Sequence, residues 1–190
     1  MKPELLLAAY RSGLFPMAVT ERGDIAWFSP DPRALIPLDE RFHIPHGLRR
    51  TLRKGRFRIT VDEDFEAVIR ACAQVHGETW ISPEIIASYG ELHRRGHAHS
   101  IEARRGEALV GGLYGVHLGG AFFGESMFHY ETDASKVALV ALVERLRARG
   151  FLLLDTQWMT SHLAQFGTYL VSKREYLRLL KRAVAMPCAF

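Results

Sequence analysis

GGAFFGESMFHYETDASKVALVALVERLRARGFLLLDTQ, residues 119–157, decides the fold. Gly119 and Gly120 offer a turn, and residues 121–127 follow as a strand rich in aromatic side chains. Thr132 or Asp133 stands where a helix cap is expected. Val137, Val140, Ala141, Val143 and Leu146 then recur at three- and four-residue intervals until Gly150 stops the helix. The apolar run Phe151, Leu152, Leu153, Leu154 is of the kind covered on both faces, so it predicts a buried strand that aims the polar residues after it at a sheet edge. A long amphipathic helix between two such strands needs apolar sheet to cover it, which makes this a layered α/β chain.

Upstream, residues 99–103 alternate as a strand, Arg105-Gly106 turns the chain, and residues 109–116 return. With 121–127 they predict a three-strand antiparallel meander whose many small residues favour close approach between segments. Two helices precede it. Asp62 caps the first, Glu63 and Asp64 suit its first turn, and Phe65, Val68, Ile69 and Cys72 form its apolar stripe; Ser82 and Pro83 open the second. Residues 2–11 read as a short helix ended by Gly13, 47–54 as a basic helix and 56–61 as a strand. Between them Pro16, Pro30, Pro32 and Pro37 leave few long regular elements, so residues 15–38 read as a lid or small subdomain shaped around Trp27 and Phe28. Downstream, residues 161–166 predict a helix, 168–171 a strand, and Ser172 with Glu175 the capping box of a last helix. The chain thus reads as α/β with some α+β character, a mixed sheet, a small unit over 1–55 and a larger one over 56–190.

The 190 residues suit one domain or one with a small appendage. No apolar run is long enough to span a membrane and the start lacks a signal-peptide pattern, so a cytoplasmic location is expected. Cys72 and Cys188 lie far apart with no paired spacing, which argues against a disulfide framework or structural zinc. The net charge of +4 permits an anionic partner without requiring one. Its distribution is more telling: Arg49, Arg50, Arg53, Lys54, Arg56 and Arg58 form one cluster suited to phosphate, and Lys173, Arg174, Arg178, Lys181 and Arg182 a second.

Two stretches hold candidate chemistry. In GESMF, residues 124–128, strict alternation points Glu125 and Met127 to one face and Ser126 and Phe128 to the other. Glu125 near Phe122 and Phe123 fits a carboxylate that holds an amine in an apolar cavity; it also fits an edge-strand acid. Asp155 and Gln157 share a face if the strand runs on, and such a pair can orient an amine beside a carbonyl. A capping Asp with a rim Gln fits equally. Trp27, Trp80 and Trp158 suit a pocket wall or core packing. His97 and His99 lack companions for a metal set, Ser126 lacks the surroundings of a nucleophile, and neither Gly-rich phosphate fingerprint is present. The element order is similar to N-acetyltransferases, but the junction over residues 129–133 has no glycine and two acids, which disfavours a coenzyme A diphosphate.

The ordered set AYRSGLFPM (9–17), WFSPDPRALIPL (27–38), TWIS (79–82), GHAHSIE (96–102), LVGGLYGV (109–116), GESMF (124–128), ASK (134–136), LLDTQ (153–157) and SKREYL (172–177) resembles the leucyl/phenylalanyl-tRNA-protein transferase family over nearly the whole chain. The resemblance implies a small N-terminal domain beside an acetyltransferase-like (GNAT-like) domain, an aminoacyl-tRNA donor in place of acetyl-CoA, and no cofactor or metal. It implies transfer of Leu, Phe and less readily Met from tRNA to proteins beginning with Arg or Lys, marking them for N-degron degradation, by a soluble monomer. Carried onto this chain, it makes Gln157, Asp155 and Glu125 the catalytic centre. Trp27, Trp80, Met127, Phe122 and Ser126 become substrate-binding, and Arg49, Arg50, Arg53 and Lys54 tRNA-binding. Only eight residues precede Ala9, so the small domain is expected to be shorter than in relatives with a longer leader. An acyl-CoA-dependent N-acetyltransferase and a noncatalytic tRNA-binding module are the competing readings.

Overall fold

A computed structural model describes residues 1–20, 23–75 and 79–190. The decisive stretch folds as read: β7 (Ala121–His129) leads into α5 (Ala134–Ala148) and then into β8 (Leu153–Asp155), which is buried throughout. β8 lies parallel to β7, as a strand returning through a crossover helix must. β5 (Ala98–Arg105), β6 (Ala108–Leu118) and β7 make the antiparallel meander, with β4 (Arg58–Val61) outside β5.

The stretch over 15–38 holds more regular structure than its prolines suggest. β1 (Phe15–Ala18) and β2 (Ile25–Phe28) pair as a separate ribbon, where Pro16 needs no second strand partner. β3 (Arg33–Ile36) is buried along its length and enters the large sheet between β8 and β9 (Tyr169–Val171), which come more than a hundred residues later. The sheet therefore runs β4-β5-β6-β7-β8-β3-β9, and the 1–55 segment supplies one of its strands.

Alternation along the strands sorts the core into two layers. Leu35, Tyr114, Phe123 and Leu153 face a cluster with α1 (Pro3–Arg11), α3 (Phe65–Val75), α4 (Pro83–Arg94) and α7 (Lys173–Val184). Their chain neighbours Ile36, Leu113, Phe122 and Leu154 face α5 and the Leu48 side of α2 (His46–Arg53). Close approach depends on small residues, since a Cβ on Gly111 would sit 2.5 Å from that of Ala134 at the start of α5.

Two caps differ from the sequence reading. Asp62 adopts a positive φ of 58° and spends its carboxylate on His99 and the Ser100 N–H, leaving Asp64 to cap α3 through the Ala67 N–H. Asp133 likewise has a positive φ, and its carboxylate binds the Thr51 hydroxyl and Lys136 instead of the helix end. Ser82 and Ser172 cap α4 and α7 as expected, although Glu175 pairs with Arg178 and does not close the box. Among the described residues, no helix is long and apolar enough to cross a membrane, and no cluster of His, Cys, Asp or Glu is arranged to hold a metal.

Candidate active site

β7 and β8 stay paired only as far as Phe123 and Asp155; β8 then ends while β7 continues to His129. The strands part there, and the wedge between them is a cavity of about 470 Å³. A β-bulge sits at the same place. Gly124 pairs with Gly115 and Ser126 with Tyr114, so Glu125 has no partner residue on β6. The extra residue breaks the strict alternation read from the sequence, and Glu125, Ser126 and Met127 all line the cavity.

Gln157 enters from the other strand. Its backbone takes a positive φ of 59°, unusual for a residue with a Cβ, and is held there on both sides. The Gln157 N–H donates to Asp155 Oδ1 at 2.9 Å and its carbonyl accepts from the Ala34 N–H at 3.1 Å. The side-chain amide is thereby aimed into the wedge, where Nε2 lies 3.5 Å from Glu125 Oε1.

Asp155 itself does not reach the cavity wall. It is 0% exposed and fully bonded, taking Arg33 Nε at 2.9 Å and Nη2 at 2.7 Å, the Tyr176 hydroxyl at 2.7 Å and the Gln157 N–H. Arg33 is equally buried, with its guanidinium between the rings of Phe15 and Tyr176 and Nη1 on the Gly13 carbonyl. Such an ion pair is stable only when complete, so its chemical consequence is a fixed Gln157.

Glu125 has the opposite environment. Burial pushes its carboxyl up to about 8, against the hydroxyls of Tyr10 and Tyr89. The Tyr89 hydroxyl donates to Oε2 at 3.3 Å, and Tyr10 and Tyr89 share a short hydrogen bond. Burial also pushes the Cys72 thiol, next to Ser126, up to about 12, which leaves no thiolate for nucleophilic work.

The cavity has two unlike sides. Leu113, Met127, Leu139, Leu142, Leu154 and Leu163 form an apolar side against α5, while Tyr114, Glu125, Gln157 and Trp80 face the other way, near Phe15 and Trp158. Trp27 lies on β2 at 37% exposure and off the cavity wall, and Phe122 is buried under α5, also off it. The sequence reading did not single out Arg33, Tyr176, Tyr10, Tyr89, Tyr114 or the leucines. For Arg33 a signal existed: a charge heading the apolar run ALIPL must either be exposed or have a buried partner.

On α2, Arg49, Arg50 and Arg53 are exposed, as is Lys54 at its C-cap, and among the described residues none forms an ion pair. By contrast Arg56 pairs with Glu131, and Arg58 with Glu63 and Glu107.

The family described as Leucyl/phenylalanyl-tRNA protein transferase matches residues 35–181, and its N-terminal domain matches residues 1–31. The chain is 59% identical to the Leucyl/phenylalanyl-tRNA-protein transferase of Akkermansia muciniphila over 97% of its own length and 96% of that protein. It is 53% identical to the protein of the same name from Herpetosiphon aurantiacus, over 100% of this chain and 98% of that one. For the Gloeobacter violaceus protein the identity is 54%, over 100% and 97%.

Proposed function

The chain belongs to the leucyl/phenylalanyl-tRNA protein transferase family, and from that membership we propose that its cleft joins Leu, Phe or, less readily, Met from tRNA to proteins beginning with Arg or Lys. Aminoacyl transfer from tRNA to protein is the activity; the particular donors and acceptors are the proposal. The observation that carries it is the two-sided wedge, whose leucine-lined side suits an apolar donor side chain and whose Glu125 side suits a cationic acceptor.

The acceptor's neutral α-amine attacks the ester carbonyl carbon of the aminoacyl-tRNA. The C–N bond forms, the ester C–O bond breaks, and the leaving ribose oxygen ends with the proton that the amine gives up. Gln157 orients amine and carbonyl through its amide, Glu125, protonated in the empty cleft and ionised once a cation sits against it, holds the cationic acceptor end, and Asp155 acts as a positioning residue behind Gln157. Holding two large reactants in this geometry supplies much of the rate, since well-oriented pairs gain about 7–11 kcal/mol over free encounter. Trp80, Ser126 and Met127 contact substrate from the wall, and Trp27 and Phe122 support it from outside. Arg49, Arg50 and Arg53 of α2 and Lys54 at its C-cap bind the acceptor-stem phosphates, in which case neutralising them flattens the salt dependence of tRNA binding.

The test is direct. Purified protein with Leu-tRNA or Phe-tRNA should label a peptide beginning with Arg or Lys and not its N-acetylated form. Folded protein and charged donor without transfer would refute the reading, and salt-sensitive tRNA binding alone would favour a noncatalytic module.

A further inference from the structure

We propose that His162, Lys136 and Ser135, with His129 beside them, form a subsite for the phosphodiester that links the donor's last nucleoside to the rest of its chain. The inference rests on the function proposed above and adds a group of residues which that function does not use.

The wedge has a polar end where three elements meet. His129 closes β7, Ser135 lies in the first turn of α5, and His162 sits on α6 (Ser161–Ala164); all three line the cavity. Ser135 is 1% exposed, and its hydroxyl has only a long contact, 3.5 Å, with His129 Nδ1. The His162 Nε2 atom is buried and has no hydrogen-bond partner among the described residues. Burial holds the His162 imidazole below its ordinary range, and the nearby Lys136 ammonium and His129 ring push it the same way. Of the two acids at this junction, Glu131 is drawn away by Arg105 at 2.9 Å. Asp133 divides its carboxylate between the Thr51 hydroxyl at 2.9 Å and Lys136 at 3.3 Å. One acid therefore stands against three basic side chains. A further negative charge completes the cluster, turning His162 from a disfavoured cation into a paired one.

An anion is what such a group of donors lacks, since ammonium, imidazolium and hydroxyl can all donate to it. Position decides which anion. Ser135 shares α5 with Leu139 and Leu142, and His162 precedes Leu163, so this end belongs to the side of the cavity that suits the donor. The Thr51 bond ties it to α2, which holds the donor's stem in the function proposed above. A strand that runs from α2 to the ester passes His129 and Lys136. The phosphodiester one sugar away from the ester is the charge it brings there, whereas a carboxylate of the acceptor would have to pass Glu125.

The experiment measures dissociation constants for two stable donor analogues. The first is 3′-amino-3′-deoxyadenosine acylated by phenylalanine on its 3′ nitrogen, and the second is the same compound carrying a methyl phosphodiester on its 5′ oxygen. Both present the apolar side chain and the nucleoside, and only the second presents the phosphodiester. On wild type the phosphate should tighten binding about tenfold, the scale of a hydrogen bond to a charged group. His162→Ala and Lys136→Met should each remove most of that gain and leave the phosphate-free analogue bound as before. No gain on wild type overturns the proposal, and so does a gain that survives in both variants, which would put the phosphate elsewhere. Equal weakening of both analogues would assign these residues a structural role and also overturns it. Binding is read without turnover, so absence of transfer from Leu-tRNA by wild type would refute the proposed function separately.

Discussion

The two sides of the wedge are built from the same strands by different means. On the α5 side, plain alternation suffices: Leu113 and Leu154 fall on that face because their neighbours fall on the other, and α5 adds Leu139 and Leu142. The opposite side is assembled from distant parts of the chain, with Tyr10 from α1, Tyr89 from α4, Tyr114 from β6 and a bulge to aim Glu125. Apolar contacts are interchangeable and lose energy in increments, whereas a buried polar network fails when one member is removed. The contrast implies a forgiving donor side and an exacting acceptor side.

Arg33→Met should do the most damage. It leaves Asp155 charged, buried and short of two of its donors, and breaking a buried pair in this way costs about 3–5 kcal/mol. A urea midpoint unchanged from wild type would show that the pair does not hold the polar side together. Gln157→Ala comes next, since it removes the amide and spares that network. Single-turnover transfer should fall about a hundredfold, in the range found when one oriented donor is lost, while tRNA affinity stays constant. Gln157→Gly should behave alike, because glycine accepts the positive φ and lacks the same amide.

A separate effect is on the pH dependence of stability. Glu125 is raised from its ordinary 4.5 to about 8 in the folded chain, so between those values the folded state holds a proton that the unfolded state has released. Stability from this group is therefore greatest below pH 4.5 and declines as pH rises through 8. Glu125→Gln should remove that decline, and an identical pH slope in the variant would place Glu125 in a wetter setting.

Much of this architecture is legible in the chain because local rules and tertiary demands agree across residues 119–157. Helix period, apolar strand and stop signals there all point to one arrangement. Legibility fails where a partner is remote. Arg33 looks like a loop charge until β8 supplies Asp155, and β3 looks like part of a proline-rich lid until β9 arrives beside it. The bulge is invisible to a period of two, which places Glu125 and Ser126 on opposite faces although both line the cavity. Asp62 illustrates competition: a good capping residue by type, it is captured by His99 and Ser100.

The central claim is that donor and acceptor occupy opposite sides of one wedge, and a crossed set of Michaelis constants tests it most directly. Leu142→Ala should raise the KM for Leu-tRNA about tenfold, as loss of apolar pocket contacts does, and leave the KM for an Arg-initiated peptide unchanged. Glu125→Gln should do the reverse. If both variants move the same constant, the two sides do not divide the substrates and the account is wrong.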